Sequence, residues 1–161
     1  SPLNHSDSYL HLATLQTDVP TMELLIHYNA DLNRICRPFS KTPLAVAAGG
    51  HESALRLLLE KNANPDLPDS TGNTPLHTAC TLGKLNIIGA LLEYRASLKV
   101  RTTDGDTPLW CALKAGKSDA LELLLASGAD PDATNQARVT PLHWAACERD
   151  RDERDTVATL L

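Results

Sequence analysis

Aromatic side chains are scarce in this 161-residue chain, which holds one Phe, two Trp and three Tyr. A core must therefore come from Leu, Ala, Ile and Val, a composition that suits close-packed helices better than an aromatic-rich sandwich of sheets. No apolar run approaches the ~18 residues a bilayer span requires, and no basic-then-apolar leader opens the chain. No cluster of Lys and Arg is long enough to follow a phosphate backbone, and the formal charge is −5, so direct nucleic-acid binding is not expected. Cys36, Cys80, Cys111 and Cys147 are far apart and form no Cys-x-x-Cys pair. They read as reduced, mostly buried thiols rather than as zinc ligands or a disulfide framework. Glycine-rich nucleotide loops, Gly-x-Ser-x-Gly and His-Glu-x-x-His are missing too. No catalysis, cofactor or metal is expected. The chain reads as a soluble, intracellular monomer of the cytoplasm, the nucleus or both.

What is present is a recurrence. Thr-Pro-Leu begins at Thr42, Thr74, Thr107 and Thr140, at intervals of 32, 33 and 33 residues, a period that belongs to stacked-repeat architectures. Each Thr is a good N-cap and each Pro is preorganised for the first helical position, so a helix starts at every copy. Small pairs follow at Ala47-Ala48, Ala79-Cys80, Cys111-Ala112 and Ala145-Ala146, which lets a neighbouring helix come close. Glycines at Gly49-Gly50, Gly83 and Gly116 end the first helix. A second helix then carries a leucine row, as in Leu57-Leu58-Leu59, Leu91-Leu92 and Leu123-Leu124-Leu125. It closes near Asn29, Asn62 or Gly128, residues that tolerate positive φ, with Arg95 as the expected exception. Polar stretches such as Asn64 to Asn73 read as extended chain and a tight turn. Ser8 to Ala13 aligns as a degenerate first copy. The last copy ends in mid-helix at Leu160-Leu161, beyond a run of alternating charges from Glu148 to Asp155 that reads as a solvated loop.

On these residues the chain resembles ankyrin repeats. The likeness rests on the Thr-Pro-Leu-His start, the small pair, the leucine row, the Gly128-Ala129-Asp130 close and the period. It implies an all-α solenoid of about five stacked helix-loop-helix units with β-turn fingers. The units are placed at about 8–41, 42–73, 74–106, 107–139 and a truncated 140–161, within one domain spanning 1–161. It also implies that His11, His77 and His143 tie turn backbone rather than perform chemistry. Ala45 and Trp110 stand at the same place in the other copies, which is hard to reconcile with a chemical role. The glycine two residues before Thr, Gly72 and Gly105, is Ser40 and Arg138 elsewhere. If φ stays positive there, each costs on the order of 1 kcal/mol.

Such proteins bind with their fingertips and the concave face of the first helices, which gives a groove roughly 40 to 50 Å long from helix spacings of about 10 Å. That is room for about 800 Å² of contact per partner. The resemblance places the tips at Phe39 and Lys41, Thr71 and Asn73, Asp104 and Asp106, and Ala137 and Val139. It adds Leu82, Trp110, Lys114 and Trp144 from the helices, and a finger asparagine, Asn33, as a candidate for hydroxylation. The expected partner is a protein segment with Lys or Arg set against Asp104 and Asp106 and apolar residues on either side. Trp110 is either core filler or an anchor. The function expected is recognition within a larger adaptor or regulatory protein, favoured by the mid-helix end. The alternative is a stand-alone inhibitor that covers an enzyme or transcription-factor surface.

Overall fold

The computed structural model describes residues 6–36 and 40–147, the side chains from residue 9 onward. The helices are α1 (Ser6–Leu15), α2 (Val19–His27), α3 (Pro43–Ala47), α4 (Glu52–Glu60), α5 (Pro75–Leu82), α6 (Leu85–Glu93), α7 (Pro108–Lys114), α8 (Ser118–Ala126) and α9 (Pro141–Cys147). Among the described residues there is no strand, only an isolated bridge between Cys36 and Lys41. Phe39, the charged run from Glu148 and the final leucines lie outside the described residues.

Odd-numbered helices pack on one another in one layer and even-numbered helices in a second, each pair joined as a hairpin. The thin packing follows from the small residues. Ala47, Ala48, Ala79, Cys80 and Ala112 have no measurable exposure, and a larger side chain at any of them would push two helices apart. Leu55, Leu58, Ile88, Leu91, Leu121 and Leu124 from the even helices fill the space between the layers and are equally buried. At roughly 25 cal/mol per Å² of apolar area removed from water, this continuous row is the main stabilising term.

Each of the first four units turns three corners at positive φ. Outer helices end at Asn29, Asn62, Arg95 and Gly128, with φ of 61°, 66°, 62° and 89°. Arg95 is therefore no exception. Its N–H bonds Leu92 O at 3.0 Å and the next N–H bonds Leu91 O at 2.9 Å, and these two bonds hold the corner against a steric cost of about 1 kcal/mol. The finger turns place Ser40 at 51° and Arg138 at 59°, beside Gly72 at 78° and Gly105 at 77°, so the expected strain at both non-glycine positions is present. The third corner follows the inner helix. Gly83 and Gly116 take it at 67° and 63°, and Thr17 at 54°. A β-branched residue is poorly suited to that region, and the Thr17 hydroxyl offsets part of the strain by meeting His51 Nδ1 at 2.9 Å. The interval of 32 residues has a local cause: α3 has five residues where α5 has eight, and Gly50 closes it at φ 146°.

Candidate protein-binding face

The threonine caps behave differently from copy to copy. Thr42 Oγ1 accepts from Ala45 N at 3.2 Å. At the next copy His77 takes part: Thr74 N–H donates to His77 Nδ1 at 3.1 Å and the Thr74 hydroxyl lies 2.8 Å from the same nitrogen. The other ring nitrogen must then carry the proton, and Nε2–H donates to Asp106 O at 3.2 Å. His11 Nε2 reaches Lys41 O in the same way at 2.8 Å. These imidazoles tie α1 and α5 to the finger that follows. Trp110 has no nitrogen within reach of Thr107, so the Thr107 hydroxyl is buried without a partner. Its indole N–H instead donates to Ala133 O at 2.6 Å. Thr74→Val is accordingly expected to cost about 1–2 kcal/mol. Thr107→Val should change stability by less than about 0.5 kcal/mol or increase it, since no bond is lost. Urea unfolding of the two variants checks the contrast.

Burial lowers the pKa of His77 below that of free histidine, and carbonyls from Asp106 and Val100 only partly oppose this. A folded-state pKa below the unfolded one means that the unfolded chain takes up the proton first. The stability His77 contributes is complete above the unfolded value of about 6.5 and is lost as pH falls below it toward the folded value. Urea midpoints between pH 7.5 and 5 should drop for the wild type and drop less for His77→Gln.

The outward side of the odd layer is where the candidate face lies. Leu12, Leu15 and Leu82 are 43%, 40% and 46% exposed, while Val46, Thr78, Cys111 and Trp144 are half-buried. Leu12 and Leu15 were not among the residues singled out from sequence. Their spacing of three along α1, matching Thr78 and Thr81 on α5, is the signal that could have found them.

The other expected contact residues divide. Thr71 and Asp104 are exposed at finger tips, and Lys41, Asn73 and Val139 are half-buried there. Asp69 holds its turn by accepting from Thr71 N at 2.9 Å and Asn73 N at 3.0 Å. Burial by itself would raise the Asp69 carboxyl, but these donors outweigh it and hold the pKa below the ordinary range. Asp106 departs from expectation. It is 6% exposed and its Oδ2 accepts from Lys114 Nζ at 2.6 Å, so it does not form an exposed acidic pair with Asp104. The backbone that receives His77 draws it inward. Trp110 has no exposure and is core filler, with Lys114 Nζ 5.8 Å above its ring. Trp144 meets it edge-on with centroids 6.3 Å apart. Asn33, the hydroxylation candidate, is exposed, and its amide oxygen accepts from Asn64 N at 2.8 Å.

Burial pushes the Cys111 thiol up to about 11 and raises Cys80 further. Among the described residues no group of His, Cys, Asp and Glu is placed to hold a metal ion, and no helix is long and apolar enough to cross a membrane.

Comparison with known proteins agrees with this geometry. A family model described as ankyrin repeats (3 copies) matches residues 10–102 and 95–161. NF-kappa-B inhibitor alpha of Sus scrofa is 37% identical over 89 residues, and that of Mus musculus 36%. Each alignment covers 53% of this chain and 28% of the relative, so the chain spans little more than a quarter of the length of these proteins.

Proposed function

Because the chain belongs to the ankyrin-repeat family, whose repeats are protein-interaction modules, we propose that it grips a protein partner along the outward side of the odd helices and the finger tips. The observation that carries this reading is the row of leucines left in water. Leu12, Leu15 and Leu82 are exposed on helices whose opposite sides are fully buried, and an apolar row of this kind gains free energy when a partner covers it. Among the tip carboxylates, Asp104 is exposed, whereas Asp106 is paired with Lys114. A fitting partner presents an apolar segment followed by a single Lys or Arg directed at Asp104. The module acts as a monomer, inside the cell, as the recognition part of a larger adaptor or regulatory protein. Leu12→Asp with Leu82→Asp should weaken a captured partner by at least about tenfold with little change in melting temperature. Asp104→Lys should weaken it less and reduce its salt dependence. A partner held equally well by all three proteins would refute this face.

A second reading is favoured by the relatives, which are by name inhibitors of NF-kappa-B. In it the chain is an inhibitory subunit that covers its target's surface. Purified NF-kappa-B subunits titrated against the wild type and the double leucine variant separate the two: saturable binding lost in the variant supports the inhibitor, and no binding supports the adaptor.

A further inference from the structure

One tie recurs along the fingers and then stops, and a second is missed at one copy. Asn33 Oδ1 accepts from Asn64 N at 2.8 Å, and 33 residues later Asp66 Oδ1 accepts from Ser97 N at 2.8 Å. The next position in that series is Lys99, and the N–H it ought to receive is that of Asp130. A lysine cannot accept, and Asp130 N–H has no acceptor among the described residues. The second interrupted tie is the Thr107 hydroxyl, which lost its imidazole to Trp110 and is buried without a partner. The first break opens on a cavity of about 340 Å³, lined by Leu98, Lys99, Thr107, Leu109, Ala129 and Asp130 among others, while the Thr107 hydroxyl itself is fully buried. That volume lies at the lower end of small-molecule sites.

We propose that this cavity, on the finger side of α7 and apart from the leucine row, binds a carboxylate carried on a small apolar body. A bound carboxylate would do for Asp130 N–H what the Asp66 side chain does for Ser97 N–H. It would also lie beside the Lys99 ammonium, which has no ion-pair partner among the described residues. Arg101 adds positive charge at the rim while its Nη1 is held by Gly105 O and Thr134 O. The Asp130 carboxylate is turned to its own loop, accepting from Asp132 N at 2.9 Å. Leu98, Leu109 and Ala129 supply the apolar wall, so the selectivity is for an organic acid over an inorganic anion.

The test is titration of the whole chain with benzoate and with N-acetylleucine, which mimics a protein C-terminus, followed by amide NMR at Asp130 and Ala129. Benzamide and N-acetylleucinamide serve as neutral isosteres. Saturable shifts with at least one acid, and binding about tenfold weaker for its amide, are expected. Tighter binding of N-acetylleucine assigns the site to a polypeptide terminus, and tighter binding of benzoate assigns it to a free acid. Lys99→Asp should close the site from within by restoring the missing tie: acid binding disappears and the melting temperature rises by roughly 2–4 °C. Lys99→Met should weaken acid binding without that rise. No saturable shift with either acid, or equal binding of acid and amide, would overturn the proposal.

Discussion

Trp110→Ala is expected to destabilise the chain by about 3–5 kcal/mol, the range for removing a fully buried large aromatic side chain. Three things go together. The cavity left by the ring cannot be filled by the small residues beside it, since Ala112 and Ala79 are already packed without exposure. Ala133 O loses the indole donor at 2.6 Å. Trp144 and Lys114 lose the ring against which they rest. Trp110→His is the informative companion. It restores an imidazole beside Thr107 while leaving Ala133 O without its donor, and should recover part of the loss, perceptibly more than Trp110→Leu does. Urea unfolding followed by circular dichroism measures all three variants. A cost for Trp110→Ala below about 1 kcal/mol would mean that the ring is not the core element described.

Gly72→Ala should cost about 2–5 kcal/mol, although it adds one methyl group at the surface. The new Cβ would lie 2.8 Å from Thr103 N and 2.9 Å from Thr102 Cα, atoms of the neighbouring finger's backbone that cannot step aside. Two terms add: about 1–2 kcal/mol for a left-handed residue with a side chain and about 1–3 kcal/mol for overpacking. Gly116→Ala separates them, because φ is 63° there and a Cβ would meet nothing within 4 Å, so only the first term applies. At about 2–4 °C per kcal/mol for a chain of this size, the difference between the two melting temperatures isolates the contact between fingers. Gly72→Ala should also loosen the bonds from Thr103 N and Thr103 Oγ1 to Thr71 O, both 3.0 Å.

The period, the caps and the leucine rows were legible in the sequence because each is local: a Thr-Pro pair or a helical spacing acts within a few residues. The corner at Arg95 was not, because propensity argues against it and only the neighbouring carbonyls of Leu91 and Leu92 decide it. The candidate face was legible in part. The resemblance placed tips at Thr71 and Asp104, and both are exposed. Asp106 looked equivalent to Asp104 two residues away, yet its carboxylate lies under Lys114 eight residues later, a pairing set by the angle between finger and α7. The cavity beside Lys99 was beyond sequence reasoning for the same reason, since it depends on what two distant positions fail to supply across a gap.

Both tryptophans of the chain sit on α7 and α9, stacked edge to face. Indole emission is therefore a local reporter of one end, while far-ultraviolet ellipticity averages over every helix. In an architecture coupled mainly between nearest neighbours, the two signals coincide only if the whole array melts in one step. Any offset between them measures how far the opposite end can come apart by itself.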